Sequence, residues 1–199
     1  MLCHVYPVLP HVISLTEHHL NILEKSHVNI EGYTTEAQFC RVSYEKGVIT
    51  YVQNRLKFIN TDLSEYCKEK DIEICVVKLI INSLNMCITT IYRAPTGNFN
   101  FFLQNLDNVL QFLYTPASHI IICGELNNNY SVENEQKTQL DNLLLIYNLT
   151  GIVNFPTRIS NTSASAIGNI FIDISRFEDF SVFPFSNDLT DHDAQIFKN

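Results

Sequence analysis

The chain has 199 residues, of which 46% are hydrophobic and 17% are charged. This length and composition predict one globular domain over residues 1–199 and exclude an intrinsically disordered chain. The 21 acidic residues outnumber the 13 basic ones, which gives a formal net charge of -8. Strong non-specific DNA binding needs clustered Lys and Arg, so this balance disfavours it, and a nucleic-acid partner would be held weakly through a local site.

The cysteines and the first residues indicate a cellular compartment. No pair of the six cysteines has C-x-x-C spacing, and Cys75, Cys87 and Cys123 lie in apolar, strand-like runs where a reduced thiol acts as a small hydrophobe. The apolar start of the chain lacks a basic segment and is broken by prolines, and no apolar run is long enough to cross a membrane. We therefore expect a reduced intracellular protein of the nucleus or cytoplasm, neither secreted nor membrane-bound, with its oligomeric state open.

The first half of the chain is predicted to consist of strands. Short runs rich in β-branched and aromatic residues predict five of them, in the order 11–16, 37–42, 47–53, 72–81 and 84–92. Polar turn sequences at 44–47 and 82–83 separate the second strand from the third and the fourth from the fifth. These two pairs are therefore predicted to be hairpins.

The pattern changes period in the second half. Apolar residues recur at steps of three and four over 98–114 and over 134–147, which predicts two amphipathic helices. A strand is predicted between them at 119–123, and three more follow at 166–174, 180–183 and 192–197. Hairpins followed by helices that alternate with strands predict an α/β fold, a two-layered β-sandwich flanked by helices.

Polar side chains gather just past the predicted strand ends. They stand at Glu17, at Tyr92 and Arg93, at 125–127 and at 191–192. In layered α/β proteins this rim is where ligands usually bind. A divalent cation such as Mg²⁺ prefers carboxylate oxygens, and an imidazole can move a proton or stabilise charge on a phosphoryl group. The pattern predicts metal-dependent phosphate chemistry.

Each cluster also has a plainer interpretation when taken alone. Glu17 can begin a solvated helix, and Tyr92 can be an ordinary tyrosine at a strand end with its hydroxyl in water. Asp191 and His192 can form a turn, and Arg158 can be a surface charge. The prediction of a site therefore depends on the whole set.

Five stretches of the chain resemble one protein superfamily in their order. They are SLTEHHL at 14–20, IYRAP at 91–95, CGELN at 123–127, NFPTR at 154–158 and TDHD at 190–193. Together they resemble the endonuclease/exonuclease/phosphatase superfamily, and most closely the endonuclease domain of LINE-type (non-LTR) retrotransposons. The set spans nearly the whole chain, whereas each piece alone is weakly specific.

The resemblance implies a DNase I-like sandwich that hydrolyses phosphodiesters with Mg²⁺ or Mn²⁺, and it assigns roles to individual residues. The implied metal ligands are Glu17 and Asp191. The implied catalytic residues are five. Tyr92 would contact or polarise the phosphate, and Glu125 would activate or position the attacking water. Asn127 would orient that nucleophile, and Asp191 with His192 would complete the site. The implied contacts to DNA phosphates are Arg93, Arg158 and Asn127.

The chain departs from the superfamily pattern at position 125. The usual motif is Gly-Asp-x-Asn, and here Glu125 stands in the place of the aspartate. The extra methylene moves the carboxylate by about 1 Å if the backbone holds, and a displacement of that size can lower a rate about 100-fold. We expect this change to weaken catalysis.

Two further departures concern Gly168 and the start of the chain. The superfamily usually carries an aspartate at the position of Gly168, where it orients the catalytic imidazole, so His192 is expected to lose that partner unless Asp173 or Asp193 substitutes. Members also begin with a strand and a helix before the segment around Glu17, and these are predicted to be absent here, a truncation at the N-terminus. We therefore predict an impaired metal-dependent phosphodiesterase or DNA endonuclease of retrotransposon origin, or, alternatively, an inactive remnant or weak binding module.

Overall fold

The computed structural model describes residues 9–18, 29–41, 47–81, 83–160, 162–186 and 191–199. The strands of this part of the chain are β1 (Val12–Thr16), β2 (Tyr33–Cys40), β3 (Gly47–Gln53), β4 (Phe58–Thr61), β5 (Glu73–Ile81), β6 (Leu84–Tyr92), β7 (Ser118–Glu125), β8 (Thr150–Gly151), β9 (Arg158–Ile159), β10 (Ala164–Ser165), β11 (Gly168–Ile172), β12 (Ser181–Phe185) and β13 (Ala194–Lys198). The α-helices are α1 (Phe99–Leu113) and α2 (Glu135–Ile146), and short 3₁₀ helices lie at Ser64–Tyr66 and Ile174–Arg176.

The strands form two main sheets and two small hairpins. The larger sheet has six strands in the order β4-β5-β6-β7-β11-β8, and the smaller has three in the order β1-β3-β2. The pairs β12–β13 and β9–β10 are two-stranded. Strands β6 and β7 are parallel neighbours, and α1 provides the crossover that parallel strands require.

Alternation along the central strands explains why the sheets form layers. In β5, Ile74 and Val76 pack in a cluster with residues of α1 and α2, whereas Cys75 and Val77 pack in a second cluster with residues of the three-stranded sheet. Successive side chains of a strand point to opposite faces, so a strand with apolar residues on both sides is buried between two layers. The structure thus confirms the predicted α/β sandwich flanked by helices.

Both helices begin at an asparagine that caps them. The Oδ1 atom of Asn98 accepts a hydrogen bond from the Phe101 amide at 3.0 Å, and that of Asn134 accepts one from the Lys137 amide at 2.8 Å. Such a cap satisfies an amide that has no partner within the helix. The buried stripe of α1 comprises Phe102, Leu106, Val109, Leu110 and Leu113. Sequence periodicity predicted this helix to within one residue at each end.

Several bounds differ from the prediction. Strand β2 begins four residues earlier than predicted, and β4 was missed because it is a short edge strand with exposed residues. Strand β7 extends beyond 123 to Glu125, so this carboxylate belongs to the strand's last residue. The last strand starts at Ala194, which leaves His192 outside it in an isolated bridge with Arg158.

Some predictions fall outside the described residues. These include the turn residues 44–46 and 82, and residues 19, 20 and 190 of the matched stretches. The predicted absence of an earlier strand and helix concerns the start of the chain, and residues 1–8 lie outside the described residues. Within the described residues, no helix is long and apolar enough to cross a membrane, and none of the five cysteines forms a disulfide.

Candidate active site

The ends of β1, β6 and β7 meet at a cleft of about 320 Å³. The residues that line it are Glu17, Arg41, Lys70, Tyr92, Ala94, Pro95, Thr96, Glu125, Asn127, Arg158 and His192. Six of these were predicted as site residues from the sequence. The structure therefore brings together groups that lie as far apart in the chain as positions 17 and 192.

Sheet register explains part of this convergence. Tyr92 of β6 and Glu125 of β7 are directly paired at the carboxyl ends of parallel neighbours. Gly124 makes the close approach possible, because its φ is 138° and a Cβ there would lie 1.9 Å from the carbonyl oxygen of Ile91. Only glycine avoids this clash, so the glycine before Glu125 fixes how near the two strand ends come.

Glu17 and Tyr92 form the first polar pair of the cleft. The Tyr92 hydroxyl donates a hydrogen bond to Glu17 Oε1 at 2.7 Å. Burial, and then the hydrogen bond to Glu17, raise the pKa of Tyr92, so its hydroxyl remains a donor at neutral pH. Glu17 has a φ of 51°, in the left-handed region that non-glycine residues rarely adopt, and such strain is concentrated at functional sites.

Glu125 lies at the centre of a second polar group. The Asn127 Nδ2 atom donates to Glu125 Oε1 at 2.8 Å and to the carbonyl oxygen of Arg93 at 2.9 Å. The other carboxylate oxygen, Oε2, is 3.2 Å from His192 Nδ1. The hydrogen bond with Glu125 raises the pKa of His192, although partial burial opposes it. Both carboxylate oxygens of Glu125 are therefore engaged.

His192 is held by backbone pairing with the segment around Arg158. The Ile159 amide donates to the carbonyl oxygen of Asp191 at 2.8 Å. Arg158 Nε lies 2.7 Å from Asp191 Oδ2, and this hydrogen bond lowers the pKa of Asp191. Asp191 Oδ1 is 3.7 Å from His192 Nε2, beyond hydrogen-bond range. Asp191 does not itself line the cleft, and it holds Arg158 at the cleft edge.

Arg93 does not have the geometry of the predicted phosphate contact. Its residue is only 2% exposed. Its Nε donates to the carbonyl oxygen of Leu126 at 2.9 Å and its Nη2 to that of Asn127 at 3.2 Å, while Nη1 reaches the carbonyl oxygens of Ala94 and Gly97. The prediction is corrected accordingly: the guanidinium faces inward and holds the loops that follow β6 and β7.

Two basic residues of the cleft, Arg41 and Lys70, were not predicted. Arg41 directly follows β2, which ends at Cys40, whereas the predicted strand ran to position 42 and enclosed Arg41, so the strand-end criterion did not select it. Its guanidinium carbon lies 5.4 Å from the Tyr92 ring centre, and its Nε is 2.6 Å from Glu73 Oε1 in a buried ion pair. Burial raises the pKa of Glu73. Lys70 lies in a polar turn with no distinguishing sequence signal.

The predicted metal requires a test against these side chains. The described residues contain no group of three or more His, Cys, Asp or Glu side chains placed to hold a metal ion. Glu17 and Glu125 are the carboxylates that line the cleft, and each also makes a hydrogen bond with a neighbouring side chain, Tyr92 for Glu17 and Asn127 for Glu125. Mg²⁺ commonly binds through one or two carboxylates, several waters and substrate phosphates. Glu17 fits that minimal arrangement.

Comparison with known proteins identifies the fold. No protein-family model matches the sequence, and no curated protein matches it. The endonuclease domain of TRAS1, a telomere-specific non-LTR retrotransposon, matches with a TM-score of 0.74 and 13% identity, covering 94% of this chain and 84% of that domain. The 3′–5′ exonuclease NExo of Neisseria meningitidis matches with a TM-score of 0.68 and 13% identity, covering 99% of this chain and 91% of the other.

A third match is a structure with nucleic acid bound. TDP2 of D. rerio, complexed with a single-strand DNA product, has a TM-score of 0.67 and 11% identity, covering 94% of this chain and 84% of that one. At these identities the likeness establishes the fold. The chain has the endonuclease/exonuclease/phosphatase fold, which confirms at the level of fold the resemblance expected from its motifs.

Proposed function

We propose that this chain is a divalent-metal-dependent phosphodiesterase that cleaves DNA. The observation that carries the proposal is the convergence of Glu17, Tyr92, Glu125, Asn127 and His192 on one cleft. A cleft with an acid–hydroxyl pair and an acid–imidazole pair is suited to water attack on a phosphorus atom. The nuclease fold supports the same reaction class.

DNA is the substrate class that the cleft and its structural relatives favour. Arg41, Lys70 and Arg158 place basic side chains around the cleft, although the net charge of the chain is -8. Attraction for phosphate is therefore local, and DNA binding is weak and strongly dependent on salt. The match to a retrotransposon endonuclease domain supports an origin in such an element.

In this proposal each cleft residue has a distinct task. Glu17 would hold a Mg²⁺ or Mn²⁺ ion, which when bound would neutralise the charge that develops on the phosphoryl oxygens. Tyr92 holds the Glu17 carboxylate through its 2.7 Å hydrogen bond. His192 accepts the proton of the attacking water. Arg158, held by Asp191, contacts a phosphate oxygen of the DNA backbone.

The implied role of Asn127 is narrowed by its hydrogen bonds. Its Nδ2 donates to Glu125 and to the backbone, so in this proposal that amide orients the carboxylate first. Its predicted role in orienting the attacking water remains a prediction for the Oδ1 atom. The implied metal ligation by Asp191 also remains a prediction, and it would require the ion pair with Arg158 to open.

We propose that the activity of this chain is weak, and an inactive binding module is the alternative. What favours the alternative is that the described residues contain no group of three or more His, Cys, Asp or Glu side chains placed to hold a metal ion, because a cation with few protein ligands is held loosely. The two differ in whether any phosphodiester bond is broken. A catalytic domain nicks DNA slowly, whereas a binding module retains DNA without product.

Plasmid nicking tests the proposal. The intact chain is incubated with supercoiled plasmid in Mg²⁺, in Mn²⁺ and in excess chelator, beside Glu17→Gln, His192→Ala and the matched surface variant Glu178→Gln. We expect slow nicking that chelator and the first two variants abolish and that Glu178→Gln preserves. Nicking that persists in chelator or in His192→Ala would refute the proposed chemistry. DNA retention with no nicking in any metal would favour the binding module.

A further inference from the structure

Strand register pairs Glu125 with a glycine. Gly168 of β11 lies directly opposite Glu125 of β7 in an antiparallel pair. Side chains at such positions leave the same face of the sheet with Cβ atoms about 5 Å apart. Because position 168 has no side chain, Glu125 supplies the carboxylate for this pair, and it faces His192.

The carboxylates of Asp173 and Asp191 are engaged elsewhere. Asp173 accepts hydrogen bonds from Ser175 and pairs with Arg176, and Asp191 pairs with Arg158. Oε2 of Glu125 lies 3.2 Å from His192 Nδ1, within hydrogen-bond distance. The Glu125 side chain is 11% exposed, so water competes weakly for this contact.

We propose that Glu125 is the positioning residue of His192, and that its length lets it act from β7 without a carboxylate at position 168. With Nδ1–H donating to Glu125, the lone pair lies on Nε2, the tautomer that can accept a proton. Aspartate at position 125 would draw the carboxylate back by about 1 Å and lengthen the 3.2 Å contact past hydrogen-bond range.

The inference rests on the proposed function for its chemical step. The attacking water gives its proton to Nε2 of His192 while its oxygen forms the new bond to phosphorus. The P–O ester bond breaks, and the leaving oxygen takes a proton from solvent. The negative charge of Glu125 stabilises the imidazolium that forms, as the buried acid does in hydrolytic triads.

Gly168→Asp is the counterpart of Glu125→Asp on the neighbouring strand. The three atoms nearest to a Cβ at Gly168 would be the two at the end of the Gln195 side chain, at 3.2 and 3.3 Å, and the carbonyl oxygen of Gly124 at 3.4 Å, and the backbone of Gly168 is not left-handed. Gly168→Asp therefore requires a small shift of a flexible amide. It places a carboxylate on the same face as that of Glu125.

A double-mutant cycle tests the inference with four proteins: the unchanged chain, Glu125→Asp, Gly168→Asp and the double variant. We expect Glu125→Asp to lower kcat about 100-fold with little change in KM. Gly168→Asp alone sets two like charges side by side and lowers kcat. The double variant should recover most of the loss. Glu125→Asp at unchanged or higher activity, or strictly additive effects, would overturn the inference.

A readout independent of activity separates this inference from the proposed function. ¹⁵N NMR of His192 in the metal-free protein at about pH 9 reports which ring nitrogen carries the proton. We expect the Nδ1–H tautomer in the unchanged chain, its loss in Glu125→Asp and its return in the double variant. An unchanged tautomer in Glu125→Asp refutes the inference even if DNA is nicked. The expected pattern in a protein that never nicks DNA supports the inference and refutes the function.

Urea unfolding of each variant verifies that it is folded. If Glu125→Asp fails to fold, Glu125→Gln provides the test, because it keeps the side-chain length while removing the charge. We then expect the Nδ1–H tautomer to be retained and kcat to fall. A kcat equal to that of the unchanged chain would overturn the inference.

Discussion

Replacing Arg93 by methionine should destabilise the fold. The change removes donors to the carbonyl oxygens of Leu126 and Asn127, at 2.9 and 3.2 Å, in a residue that is 2% exposed. A hydrogen bond to a charged group contributes about 1.5–3 kcal/mol, and an unpaired buried acceptor costs about 1–3 kcal/mol. Packing of methionine against Phe99 and Phe102, whose rings now face the guanidinium, offsets part of this. We expect a net loss of about 3 kcal/mol in the free energy of unfolding.

Urea unfolding followed by circular dichroism measures this loss. With a denaturant dependence of about 2 kcal/mol per molar urea, the midpoint should fall by about 1.5 M. Arg158→Met is the matched control, because its guanidinium is half exposed and an ion pair in water contributes little to stability. The control should keep its midpoint while DNA affinity falls.

The opposite pattern would refute the reasoning. If Arg93→Met unfolds at the same urea concentration as the unchanged chain but loses DNA affinity, then Arg93 contacts phosphate and the inward geometry is wrong. If Arg158→Met keeps full DNA affinity in low salt, then Arg158 is a surface charge outside the binding site. Either outcome is visible in the same pair of measurements.

Three further perturbations test other parts of the site and core. Tyr92→Phe removes the hydrogen bond to Glu17 and should lower kcat about tenfold with little change in the urea midpoint; an equal loss of stability would mean a purely structural role. Gly124→Ala should lower the free energy of unfolding by about 3–5 kcal/mol, since the φ of Gly124 is 138° and a Cβ there would lie 1.9 Å from a carbonyl oxygen of β6. Gly32→Ala is the control: a Cβ at Gly32 would have nothing within 4 Å, and the free energy of unfolding should fall by about 1 kcal/mol. Burial raises the pKa of Cys75 from 9.0 to about 12, so the stability that its buried thiol contributes is present below pH 9 and falls as the pH rises towards 12. Unfolding measured at stepwise alkaline pH can follow this fall. A free energy of unfolding that does not change over this range would refute that pKa.

The features that sequence could predict depend on short-range pattern. An apolar run that ends in glycine and an acid predicts a buried strand with Glu125 at its carboxyl end, and β7 does end at Glu125. The same logic applied to Tyr92, and the parallel register of β6 and β7 then sets the two side by side. Helix α1 followed from periodicity alone, because its buried stripe repeats at helical steps.

The features that sequence could not predict depend on contacts between distant segments. Arg93 stands directly after Tyr92 at the end of β6, and the two loops that close over it turn its guanidinium inward. The pair Arg41–Glu73 joins residues from two sheets, and no local pattern marks either partner as buried. Edge strand β4 is too short and too exposed for its pattern to be distinguished from a loop.

Gly168 and Glu125 are the residues whose effect on the site is most easily misjudged when each position is considered alone. Along the chain they are two independent departures, each of which predicts a weaker site. Register makes them one pair, because they lie opposite each other on neighbouring strands. A longer acid on β7 reaches the imidazole at 3.2 Å, whereas the shorter aspartate there would need a second acid on β11. Reverting only one of the two should therefore damage the site that reverting both preserves, and a departure in a paired strand has to be judged together with the residue across from it.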